Sequence, residues 1–132
     1  MFDRLEIAVL SPGPRFPAQL RFWVNGKDVV EQAVGAGGRG PLAAQALPFD
    51  LPSTLRATRE PHRVQLGEPE CTGGCCGFLS LVVQRTGNVV QWSDWQVPDS
   101  GARPLEFDFD ASEYDAEVAR AGAEYWRRLA AH

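Results

Sequence analysis

Apolar and polar positions alternate with a period of two in several stretches, each a candidate strand with one buried face. From residue 2 to 10, Leu5, Ile7 and Val9 share a side until Ser11-Pro12-Gly13-Pro14 stops the run. From 18 to 24, Leu20, Phe22 and Val24 face one way, Arg21 and Trp23 the other. Residues 62–66 form a third strand, with Val64 and Leu66 as its buried pair. From 78 to 84, Leu79, Leu81 and Val83 oppose Ser80, Val82 and Gln84; Arg85-Thr86-Gly87-Asn88 then turns the chain into residues 89–95. Regular alternation there sets Trp92 and Trp95 on opposite faces, so at most one of them belongs in a core. From 105 to 110, Leu105, Phe107 and Phe109 alternate with Glu106, Asp108 and Asp110, a strand with one wet side.

One longer stretch changes period. Tyr114, Val118, Ala121, Tyr125 and Leu129 recur at helical spacing, with Ala119, Ala123 and Trp126 beside them. Asp110 or Ser112 supplies a start, acids fill the first turns, and Arg127 and Arg128 the last. This predicts a C-terminal helix whose alanine flank packs closely on a sheet. Asn25-Gly26 forms a turn that could open a further hairpin strand through Val29 and Val30; Asp28 and Glu31 have capping-box spacing, which favours a short helix over 28–34 instead. Pro41 starts another over 41–47. The glycine-rich run 35–40 lacks a leading strand and a following Lys-Ser/Thr pair, so it reads as a flexible linker loop. Residues 48–61, rich in proline and polar side chains, read as surface connection, and Arg56, Arg59 and Arg63 as a solvated basic patch. The expected fold is α+β: one antiparallel sheet of about five to six strands, with the helix covering the face of Leu105, Phe107 and the 78–95 hairpin.

The 132 residues suit a single domain spanning 1–132. No apolar run approaches the roughly 20 residues of a membrane helix, so no membrane is expected. Asp3, Arg4 and Glu6 precede any apolar run; a secretory signal is not expected, and the expected compartment is the cytoplasm, with reduced thiols. The net charge of −4 argues against nucleic acid. It is unevenly spread, at +2 over residues 1–66 and −6 over residues 67–132.

Reactive chemistry gathers in Glu70-Cys71-Thr72-Gly73-Gly74-Cys75-Cys76-Gly77, ahead of the hairpin. Cys71, Cys75 and Cys76 offer three soft ligands, and His62 a fourth, for zinc or another soft cation such as copper(I). Their spacing is not that of a zinc knuckle, and otherwise no cofactor is expected. A thiol pair or a cysteine nucleophile working with His62 is a further reading. Glu68 and Glu70 oppose it by raising a thiol pKa. The simplest reading is that the cysteines fill a tight loop.

The acids give a different function. Asp94, Glu106, Asp108 and Asp110 form an acidic face, and Trp95 or Trp23 would be its exposed aromatic anchor. The reading is a binding module for a basic protein partner, with no catalytic residues assigned.

The cysteine run, Trp92-Ser93-Asp94-Trp95 and Phe107-Asp108-Phe109-Asp110 with its helix resemble a family of small uncharacterised proteins from GC-rich bacteria. The resemblance spans most of the chain and implies no activity, cofactor or catalytic residue. In size, acidity and architecture the chain is also similar to bacterial immunity proteins, which implies a protein partner.

Overall fold

The structure, a computed structural model, describes residues 2–14, 17–35, 37–69, 77–98, 104 and 106–130. Its strands are β1 (Leu5–Leu10), β2 (Gln19–Val24), β3 (Lys27–Asp28), β4 (His62–Gly67), β5 (Leu79–Thr86), β6 (Val89–Gln96) and β7 (Phe107–Asp110). Its helices are α1 (Val29–Val34), α2 (Ala43–Ala46) and α3 (Ala111–Ala130). The fold is α+β, but with two antiparallel sheets where one was expected, ordered β1-β2-β3 and β4-β5-β6-β7. Among the described residues, no helix is long and apolar enough to cross a membrane.

The split into two sheets has a local cause. β1 and β7 meet at Asp3, whose N–H donates to the Asp108 carbonyl at 2.8 Å, while an Asp3 carboxylate oxygen accepts the Asp108 N–H at 2.9 Å. Beyond that point α3 occupies the free edge of β1. Glu117 Oε2 accepts the Ile7 N–H at 2.7 Å, Arg120 Nη2 donates to the Ile7 carbonyl at 2.6 Å, and Arg128 Nη1 donates to the Val9 carbonyl at 2.9 Å. These side chains stand where an adjoining strand would, and so satisfy an edge that is otherwise open to pairing.

At the opposite side, main chain from 39 to 43 bridges the sheets. Arg39 exchanges both backbone hydrogen bonds with Glu68, and Leu20 donates to the Pro41 carbonyl. The glycine run is therefore no loose linker. A Cβ on Gly40 would lie 1.8 Å from the Leu20 carbonyl oxygen, so only glycine allows that approach. The same extended contact delays α2, which begins at Ala43, past Pro41.

Short-range signals play out as the sequence suggests. Asn25 and Gly26 both have positive φ, the geometry of a two-residue hairpin turn, and join β2 to the two-residue β3. Asp28 then caps α1, accepting the Glu31 N–H at 3.0 Å, while its second oxygen pairs with Arg21 Nε at 3.1 Å. β5 and β6 form the central hairpin of the larger sheet.

One core lies between the inner faces of the two sheets. Trp92 is at its centre, fully buried, in edge-to-face contact with Phe22 of the smaller sheet and with Trp95, Phe109 and Tyr114. Trp95 is 1% exposed, which overturns the expectation that the two tryptophans face opposite ways. The reason is a bulge. Val82 pairs with Ser93 and Ser80 with Gln96, so Asp94 and Trp95 together oppose Leu81. Asp94 takes φ +51°, and the extra residue turns Trp95 onto the core face.

α3 covers the core through Tyr114, Ala121 and Tyr125. Contrary to expectation, it contacts β7 and β6 near its start and then follows β1, and its flank of Ala119 and Ala123 is exposed. The long connection between α2 and β4 is irregular, as expected, yet Leu55 is fully buried and Ala57 nearly so. The Tyr114 hydroxyl donates to the Leu55 carbonyl at 2.5 Å and accepts Trp92 Nε1 at 3.2 Å. Burial pushes the phenol pKa well up, so Tyr114 stays a neutral donor.

Acid stability has a definite sign. Burial raises the Glu117 carboxyl, but hydrogen bonds from Arg120 and the Ile7 N–H outweigh it and hold the group below its ordinary 4.5. The Ser112 hydroxyl and the Glu113 N–H likewise hold Asp110 below 3.8. Both groups bind protons less readily folded than unfolded, so their stabilisation is complete above about pH 4.5 and is lost as pH falls through the folded values. Melting curves between pH 7 and pH 2.5 are expected to show a falling midpoint below about pH 4.5. Glu117→Gln flattens part of that slope; an unchanged slope contradicts the role given to Glu117.

Candidate functional site

The described surface carries a groove that combines apolar walls with charged side chains. It has a volume of about 560 Å³ and lies between α3 and the segment 47–57. α3 contributes Val118, Ala119, Gly122 and Ala123 as a floor of small side chains. The facing wall is anchored at both ends. Trp126 Nε1 donates to the Leu47 carbonyl at 2.7 Å, and Arg85 donates its N–H to the Thr58 carbonyl at 2.7 Å. Ser53 Oγ donates to the Ala46 carbonyl and accepts the Leu55 N–H, which folds the wall onto itself. Leu55, held by Tyr114, ties it to the core.

The two ends differ chemically. At one, Phe49 meets Trp126 edge to face at 5.5 Å yet remains 77% exposed, the most exposed large apolar residue described. At the other, Arg85 pairs with Asp115 at 3.1 Å, and Arg56, also lining the groove, makes no ion pair among the described residues. Asp115 and Trp126 are eleven residues apart on one helix, so the ends are separated by about 16 Å.

Among the described residues, those singled out from sequence do not assemble into one site. Cys71, Cys75 and Cys76 lie outside the described residues. His62 starts β4 and Gly67 ends it, five strand residues or about 16 Å away. The His62 Nε2 lies 3.0 Å from the Thr54 carbonyl. Among the described residues, no three His, Cys, Asp or Glu side chains are grouped to hold a metal.

The acidic face is similarly divided. Trp95 is buried and cannot act as an exposed anchor. Trp23 is 37% exposed on the outer side of the smaller sheet, opposite Glu6. Asp94 pairs with Arg63 Nη2 at 2.6 Å, and Asp110 accepts the Glu113 N–H at the start of α3. Glu106 and Asp108 remain exposed. Arg63 is thereby drawn out of the expected basic patch, while Arg56 moves into the groove.

Sequence reasoning missed the groove because its walls come from separate stretches. The available signal was the alanine flank of α3, which exceeds what the sheets cover. Comparison of the chain with protein-family models, curated proteins and solved structures returns no match.

Proposed function

We propose that this chain is a binding module for a protein partner and that the groove between α3 and residues 47–57 is its docking surface. The observation that carries this reading is Phe49, held 77% exposed at the mouth of a small-residue groove whose wall is pinned at both ends. A large aromatic kept in water beside a preformed concavity suits an interface that buries it.

A second surface is favoured by a specific observation: Glu106, just before β7, and Asp108 within it are both exposed, and they suit a basic partner of the kind the net charge suggests.

One pair of variants separates the two surfaces. Ala119→Arg places a long cation in the groove at an exposed helical position and is expected to lose the retained partner in affinity capture from the source cells. Its melting temperature should stay within about 2 °C of the parent, because surface changes are nearly neutral. Asp108→Arg should retain the partner. The opposite pattern moves the site to β7, and capture of no protein by the parent chain at low salt refutes the binding reading.

A further inference from the structure

The two ends of the groove specify what lies in it; this inference rests on the docking reading above. We infer that the partner element is an amphipathic α-helix of about three turns, with a bulky apolar residue at one end and a Glu or Asp at the other. The aromatic end, at Phe49 and Trp126, offers apolar contact. The opposite end carries the Arg85–Asp115 pair, and Arg56, two residues before the Thr58 carbonyl that Arg85 binds, adds a further cation to the groove lining. On a chain of net charge −4, this is a locally cationic pole, and it fits an anionic side chain.

The choice of a helix follows from the main chain of the walls. An extended segment brings backbone donors and acceptors that need a ladder to pair with. α3 has spent its own main-chain groups internally. In the other wall, the Leu47 and Leu55 carbonyls and the Leu55 and Arg56 N–H groups are already engaged. A helix arrives with its backbone satisfied and needs only side-chain contacts. Ala119, Gly122 and Ala123 leave room for larger residues from the partner at positions i, i+3 or i+4, and i+7. Eleven helical residues cover the roughly 16 Å between the poles.

The test uses the full chain and a phage-displayed library of helix-forming 16-residue peptides, with selected peptides then synthesised and titrated by fluorescence polarisation. Selection should enrich an apolar i, i+4, i+7 face with Glu or Asp about eleven positions from a bulky apolar residue. Arg56→Glu should weaken such a peptide by about tenfold or more, and exchanging the peptide's acid for Lys should recover most of that loss. Ala119→Arg should abolish binding, with the circular dichroism spectrum unchanged. Peptides that depend on Ala119 but carry Lys at the charged end, or that bind in extended form, refute this partner and leave the groove as the docking surface. Failure to enrich any peptide sensitive to Ala119→Arg refutes both.

Discussion

Trp92→Ala lowers unfolding stability by about 3–5 kcal/mol, the largest effect expected from any single truncation in this chain. For a chain of 132 residues that is a drop of about 10–20 °C in melting temperature. The size follows from position. Trp92 has no exposed surface, and its ring meets Phe22 across the core as well as Trp95, Phe109 and Tyr114 around it. Removing it leaves a cavity bordered by both sheets and by α3, and it also strips the Tyr114 hydroxyl of a donor. The check is urea unfolding followed by far-ultraviolet circular dichroism. A loss below about 1 kcal/mol would mean that the two sheets do not share this core.

Tyr114→Phe removes one oxygen and is expected to lose about 2–4 kcal/mol, because two buried groups, the Trp92 Nε1–H and the Leu55 carbonyl, then lack their partner. The ring remains and leaves no cavity, so the loss is chiefly one of hydrogen bonding. The effect is expected to be local as well as global. Leu55 is the point at which the groove wall joins the core, so backbone amides of residues 53–58 should exchange faster in the variant than those of β5 and β6. Uniformly faster exchange, or none, would show that the hydroxyl does not hold this segment.

Short-range order was legible in the sequence wherever a local rule governs it. The Asp28 cap, the Asn25-Gly26 turn, the hairpin expected over 78–95 and the start of α3, expected at Asp110 or Ser112, each depend on a few neighbouring residues. Failures occurred where one residue altered a period or where distant segments met. Asp94 in the left-handed region adds one position to β6, and alternation cannot reveal which strand residue does so. The sheet divides because Glu117, Arg120 and Arg128 of α3 satisfy the edge of β1 more than a hundred positions earlier.

The candidate site was less legible still. Phe49 stood in a stretch read as surface connection, Arg56 in a patch read as solvated, and Ala119 and Ala123 on a flank assigned to the sheet. Only the anchoring of Leu47 to Trp126, Leu55 to Tyr114 and Thr58 to Arg85 brings them round a common groove. The acidic residues show the converse. Grouped by the sequence, Asp94 and Asp110 are committed to Arg63 and to the first turn of α3.

The most direct measurement is the indole region of a nitrogen-15 correlation spectrum, recorded while a selected helical peptide is added. Occupation of the groove predicts that the Trp126 indole signal moves with saturation, while those of buried Trp92 and Trp95 and of Trp23 on the smaller sheet hold still. A stationary Trp126 signal accompanied by movement of Trp23 would contradict the assignment of the groove as the docking surface.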